Sequence, residues 1–287
     1  MKQILLLLIA TLAVGCTQNI NNKHIVHLQR IENSIEQRLC HFSLDDVAEI
    51  TKDLSTYNGN TIFQNPTLAK LKKWHNKYGI TISLYVQGDF NINSKHAQEL
   101  VDNSNWLKWG YHGNSDKHKK NDIEKFYKQV SDSIGTDIIL DKILRLHYFA
   151  GNKTTCNNLK KKGCTGFLTC DDWSWNSKKR KNYYLNKQNS SLLDKENVLA
   201  DTISGLYFIK TDFRLEHIAQ RWENVNTMFE YYNNNKEQAR ELIIFSHEWC
   251  FNEYIEQADS IFNWAKSNGY IFGYPMNYFN NRYWLWI

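Results

Sequence analysis

Short apolar runs alternate along the chain with stretches whose apolar residues recur every three or four positions. The first kind occupies residues 40–44, 81–86, 107–111, 143–147, 166–170, 206–210, 241–246 and 270–274, each reading as a strand. The second kind occupies 67–77, 94–102, 122–134, 154–162, 216–233 and 254–267, each reading as a helix; Leu68, Leu71 and Trp74 share one face, and Asn65-Pro66 is a start signal. Strand–helix units at this spacing predict a parallel sheet, either open or closed. The expected architecture is α/β, a distorted parallel (β/α) barrel of seven or eight strands in one domain over residues 24–287, with its site at the C-terminal strand ends. Residues 173–200 form one long polar stretch containing Lys178-Lys179-Arg180-Lys181, expected to be a loop. No Gly-rich phosphate loop follows any strand, which argues against a nucleotide fold.

The N-terminus departs from this alternation. Lys2 precedes an apolar run over residues 4–14 that is too short to span a bilayer and suits a cleaved export signal. Leu12-Ala13-Val14-Gly15-Cys16 resembles a bacterial lipobox. The resemblance implies a signal peptide over 1–15, acylation of Cys16, and a tether over 16–23. The protein is then an exported bacterial lipoprotein of the periplasm or cell surface, touching the membrane through its lipid alone.

Composition adds three points. With 35 Lys and Arg against 30 Asp and Glu, the charge does not suggest nucleic acid. Aromatic residues make up 14%, including 10 Trp, and exported sugar-handling proteins often stack such rings on pyranose faces, although most rings must fill the core. Six cysteines lack CxxC spacing; Cys156 with Cys164 is the most plausible local disulfide, and buried free thiols are the default for the rest.

Polar residues gather at the ends of successive predicted strands: Asp45 and Asp46, His112, Arg145 and His147, Asp172 and Trp173, and His247-Glu248-Trp249. Parallel barrels collect their catalytic groups at one mouth in this way. Helix capping accounts for one such residue but hardly for five strand ends.

These pieces, in this order, resemble the motifs of the NodB-type polysaccharide deacetylases. Phe42-Ser43-Leu44-Asp45-Asp46 is similar to the first motif, Leu144-Arg145-Leu146-His147 to the third, Asp171-Asp172-Trp173 to the fourth and Ile243-Ile244-Phe245-Ser246-His247 to the fifth. The resemblance implies Asp45 as catalytic base, Asp46 as metal ligand, Arg145 orienting the base, Asp172 tuning the acid, and His247 as that acid. The second motif departs from the family, which has two histidines four residues apart. Here His112 is followed at that spacing by Asp116, and His118 lies two residues further on. Asp46, His112 and Asp116 are the expected ligands, with His118 as the alternative. The third motif also lacks its usual proline, having Leu146 and His147 there.

The implied reaction is metal-dependent removal of acetyl groups from a glycan, through zinc or through cobalt, nickel or manganese. Trp173, Trp249, Asp212, Arg214 and His147 are candidate substrate contacts. A glycosidase pairing Asp45 or Asp172 with Glu248, and an inactive glycan-binding lipoprotein, are the competing readings.

Overall fold

The structure is a computed structural model, and it describes residues 24–27, 29–30, 38–56, 59–171, 182–193, 195–235, 240–276 and 283–284. Residues 1–23, including Cys16, and Asp172, Trp173 and the run 178–181 lie outside the described residues.

The longest strand, β3 (Arg38–Val47), organises the first sheet because nearly all of its side chains are buried. β11 (Glu241–His247) runs parallel to it, with Glu241 opposite Leu39 and His247 opposite Asp45, and β10 (Phe213–Arg214) continues parallel beyond β11. On the other side lie β4 (Ile82–Val86) and β5 (Leu107–Tyr111), both parallel. β12 (Tyr270–Phe272) pairs with the first residues of β3. Strands buried on both faces read as continuous apolar runs, which is why they stand out in the sequence.

The second sheet places β6 (Ile143–Leu144), β7 (Gly166–Leu168) and β9 (Leu206–Ile209) in parallel. β8 (Val198–Asp201) and β1 (Ile25–His27) then add antiparallel. The sheets meet where Trp109 N–H donates to the Ile139 carbonyl (2.9 Å) and Asp141 N–H to the Trp109 carbonyl (2.8 Å). At the opposite seam, residues 210–212 carry the chain from β9 straight into β10. The arrangement is thus the expected distorted parallel barrel, with an antiparallel edge that was not expected. A small ladder pairs β2 (Gln29–Arg30) with β13 (Tyr283–Trp284).

Helices α1 (Glu49–Thr56), α2 (Pro66–Tyr78), α3 (Ala97–Asp102), α4 (Lys120–Ile134), α5 (Lys153–Lys160) and α9 (Ile255–Ser267) connect the parallel strands. α2 begins where the Asn65 side chain accepts from Leu68 N–H, with Pro66 at its first position, and ends at Gly79 with φ 78°. It buries Leu68, Leu71 and Trp74, and Trp74 meets Phe251 and Phe262 edge-on at 5.5 and 5.1 Å. Such edge-to-face pairs add to the stabilisation that burial alone supplies.

Three expectations are corrected. The stretch 173–200 is not wholly a loop, since α6 (Lys187–Leu192) and β8 fall within it. The single helix over 216–233 is broken into α7 (Ile218–Trp222) and α8 (Val225–Asn234). Glu223 takes a left-handed φ of 69°, and the Asn224 side chain caps the new helix at Thr227 N–H. Cys156 and Cys164 are both buried free thiols, not a disulfide.

Candidate active site

Adjacent side chains on a regular strand point to opposite faces, so Asp45 and Asp46 could not ordinarily serve one site. The chain resolves this with a register shift between Leu44 and Val47 on the β4 side of β3, and with a left-handed φ of 56° at Asp46. Asp45 stays turned into the barrel while Asp46 is re-aimed over its rim.

Asp45 is 2% exposed. Arg145, wholly buried just beyond β6, donates through Nη1 to Asp45 Oδ1 (3.1 Å) and to Ser43 Oγ (2.7 Å), and through Nη2 to Thr211 Oγ1 (3.2 Å). The Phe245 ring lies 4.0 Å below this guanidinium and 4.9 Å from that of Arg214. A buried cation held this way fixes the Asp45 carboxylate in one orientation.

Asp46 faces a second group. Its Oδ1 lies 3.1 Å from His112 Nε2 and 3.5 Å from His147 Nε2, and its Oδ2 accepts from Trp249 Nε1 at 3.3 Å. His112 follows β5 directly, and its Nδ1–H donates to the Arg145 carbonyl at 2.6 Å. His147 N–H donates to the His112 carbonyl at 3.0 Å, tying the two segments together. Burial of Asp46 works to raise its pKa, but His112 and the imidazoles of His247 and His147 overcome this and hold it at about 2. Burial, seconded by His112, lowers the pKa of His147 and so favours its neutral form.

These three residues suit a divalent cation on donor chemistry. His112 Nδ1 is committed to the Arg145 carbonyl, which leaves its Nε2 to face the Asp46 carboxylate. At 3.1 Å the ring nitrogen and the carboxylate oxygen can share a proton, or can both turn to a metal ion. Asp46, His112 and His147 are a ligand set of the kind zinc and its neighbours take.

The expected third ligands fall elsewhere. Asp116 is exposed on the loop after His112. His118 is 9% exposed, its ring edge-on to Tyr111 at 5.9 Å, and it does not join the group around Asp46. His147, expected to touch substrate, stands beside Asp46 instead. It does so because Tyr148 and Phe149 both adopt left-handed backbone (φ 57° and 52°), folding the chain back after β6.

His247 ends β11 beside Asp45. Its Nδ1 lies 3.2 Å from Glu216 Oε1, which also accepts from His247 N–H (2.7 Å), Ser246 Oγ (2.8 Å) and Cys250 Sγ (3.0 Å). Burial alone would lower the His247 pKa, but the Glu216 bond and the carboxylates of Asp45 and Asp46 raise it above its ordinary value. Burial likewise works to raise Glu216, yet His247 and Cys250 hold it down at about 2. The carboxylate on His247 is therefore Glu216, which the sequence pattern places at the start of a helix. Asp172 lies outside the described residues, and its neighbour Asp171 is taken by Arg214 through Nε (3.1 Å) and Nη2 (2.5 Å).

The remaining candidates sort by their partners. Arg214 is bound to Asp171, and Asp212, 3% exposed, accepts from Ile243 N–H at 2.8 Å, so both side chains have partners within the fold. Trp249 is 73% exposed and lies nearly parallel to the His247 ring at 5.5 Å. Glu248, the acid of the glycosidase reading, accepts from the N–H groups of Ala48, Glu49 and Ile50 at 2.7, 2.9 and 2.8 Å. It caps α1 and braces the Asp45–Asp46 bulge.

No family model matches the sequence, and no curated protein matches it. Solved structures do show likeness. A putative polysaccharide deacetylase from Mycobacterium smegmatis is 9% identical, with a TM-score of 0.42 over 86% of this chain and 97% of that one. A CE4 family pseudoenzyme from Bacillus anthracis is 7% identical, with a TM-score of 0.37 over 84% of this chain and 65% of that one, so the chain spans about two thirds of its length. A 4-alpha-glucanotransferase from Thermococcus litoralis is 12% identical, with a TM-score of 0.48 over 86% of this chain and 40% of that one. The chemistry proposed below rests on this chain's own residues.

Proposed function

We propose that the protein is a metal-dependent hydrolase that removes acetyl groups from a glycan. The observation that carries this reading is the division of labour at the β3 bulge. Asp45 is bound to a buried guanidinium, Asp46 stands against two imidazoles, and a third imidazole with its own carboxylate closes the other side.

Asp46, His112 and His147 would hold the metal, which when bound would polarise an acyl carbonyl and make water a better nucleophile. Asp45, aimed by Arg145, takes the proton from the attacking water. His247, whose pKa the Glu216 bond raises, delivers a proton to the leaving sugar nitrogen or oxygen. Arg145 is fixed in turn by Ser43, Thr211 and the Phe245 face, so the base has little freedom to turn away.

The N-terminal reading belongs to this proposal: an exported lipoprotein, anchored through Cys16, would meet glycan outside the inner membrane. No helix among the described residues is long and apolar enough to cross a membrane.

The test is metal analysis of the purified protein together with acetate release from acetylated glycans and acetylated monosaccharides. Stoichiometric metal and acetate release that both disappear on chelation are expected. Acetate release that survives complete metal removal overturns the reading.

A further inference from the structure

A second group of ligand-type side chains lies beside the first and shares no residue with it. Glu216, His247 and Cys250 each bring a donor atom within 4.8 Å of the other two. They come from three elements: the 3₁₀ turn Leu215–His217 after β10, the end of β11, and the 3₁₀ turn Glu248–Tyr254 that follows. The side chains of Glu216 and His247 are 10% and 18% exposed, and Cys250 is buried.

The Glu216 carboxylate is unevenly used. Its Oε1 accepts from Cys250 Sγ, Ser246 Oγ and His247 N–H, and lies 3.2 Å from His247 Nδ1. Its Oε2 is buried and has no hydrogen-bond partner. A buried carboxylate oxygen left alone is costly and calls for a reason. Orienting His247 gives none, since Oε1 alone does that. Nor does it call for a thiol, yet Cys250 is the one cysteine, among the described residues, grouped with both a histidine and a carboxylate. A cation shared by the three would relieve the crowding on Oε1 and give the carboxylate a further partner.

The donor set selects the ion. Thiolate, imidazole and carboxylate are all zinc ligands, and the sulfur turns the preference towards soft ions and away from magnesium, calcium and manganese. Burial, with the Glu216 bond, pushes the Cys250 thiol up to about 12. An arriving ion must therefore displace the thiol proton to solvent as the metal–sulfur bond forms. That exchange weakens binding at neutral pH, so the ion is taken up only in excess of what Asp46, His112 and His147 hold.

We propose that Glu216, His247 and Cys250 form a second, thiolate-containing site for zinc or a similarly soft divalent ion, and that filling it blocks His247. An ion on the imidazole occupies a nitrogen that would otherwise carry a proton. The block rests on the proposed function, with His247 as acid; the binding of the ion does not.

The experiment uses the full-length protein in mild detergent, loaded with one equivalent of zinc and titrated with cadmium in the absence of added thiols. One further ion should bind, with the ultraviolet charge-transfer band of a cadmium–thiolate bond. Cys250→Ser and Cys250→Ala should both lose the band and the second equivalent, while Cys170→Ser keeps them. His112→Ala, lacking the first site, should still show the band. In parallel, acetate release is followed against buffered free zinc, each protein relative to its own uninhibited rate. Half-inhibition in the two Cys250 variants should need more than about tenfold more zinc than in the wild type. No second equivalent in the wild type, a band that survives in Cys250→Ala, or a filled second site with undiminished turnover overturns the inference. Cys250-dependent binding without acetate release from any acetylated glycan would leave the second site standing and remove the hydrolase reading instead.

Discussion

His112 donates its Nδ1 proton to the carbonyl oxygen of Arg145, the residue whose side chain holds Asp45. One residue thus fixes the tautomer of a candidate ligand through its backbone and the aim of the candidate base through its side chain. An outer hydrogen bond of this kind orients a ligating imidazole and raises its basicity.

His112→Ala and His147→Ala should each release the metal by more than the about 10–100-fold that losing an outer partner costs. Asp116→Ala should retain it, because that carboxylate is exposed and apart from the cluster. Metal content by mass spectrometry, with circular dichroism on the same preparations, decides this. If Asp116→Ala empties the site and His147→Ala does not, the ligand set has been assigned wrongly.

Asp45→Asn should cost about 10²–10⁴-fold in acetate release while leaving metal bound. It should also destabilise the protein, contrary to what a solvent-facing strand end would suggest. Asp45 and Arg145 are 2% and 0% exposed. Removing one charge of a buried pair costs about 3–5 kcal/mol, less here because the amide still accepts from the guanidinium. A measured drop in melting temperature, with metal content unchanged, is the expected result. No drop at all would mean that Arg145 is satisfied without Asp45.

Much of this was legible in the chain, and the exceptions share a cause. The fully buried parallel strands announce themselves as apolar runs, and the polar residues at their ends point to a common mouth. β8 did not stand out, because Val198-Leu199-Ala200 is short and follows an Asn- and Ser-rich stretch. The roles of His147 and Glu216 depend on backbone that no local residue advertises. Left-handed Tyr148 and Phe149 carry neither glycine nor asparagine to mark a reversal. Glu216 looked like the first turn of a long helix, yet that helix stops at Glu223, and Glu216 sits in a separate 3₁₀ turn at the end of β10.

Glu248→Gln should reduce stability more than catalysis. The carboxylate accepts three backbone N–H groups around the start of α1, and an amide in its place offers one acceptor oxygen and a clashing donor. The loss should be of the order of a helix cap, about 0.5–2 kcal/mol. Thermal melts and acetate release on the same variant test this. Normal stability with abolished turnover would bring the glycosidase reading forward.

The anchor stands apart from the folded site. Cys16→Ser should remove fatty-acid labelling and release the protein from membranes, as fractionation with a lipid label will show. Continued labelling of that variant would refute the lipobox reading.

The pH dependence follows from His247 and Glu216. Burial alone would push the imidazole towards neutrality, but the Glu216 bond and the nearby carboxylates raise its pKa. A group whose folded pKa is raised supplies stability in full below its ordinary value, and loses it as pH rises through the raised one. As the proposed acid, His247 is active when protonated, so turnover should fall on the alkaline side, at a pH above that of an ordinary histidine. Glu216→Gln removes the largest cause of the upward shift. The alkaline limb of the kcat profile should then move to lower pH, with KM and metal content little changed. Glu216→Asp should recover part of the shift, as a shorter carboxylate still reaches the ring. Stability at pH 5 should fall more than at pH 8, because the ion pair exists only where the imidazole is charged. An alkaline limb that stays in place in Glu216→Gln would show that His247 does not titrate in the reaction, and the acid would then have to be sought elsewhere at the mouth.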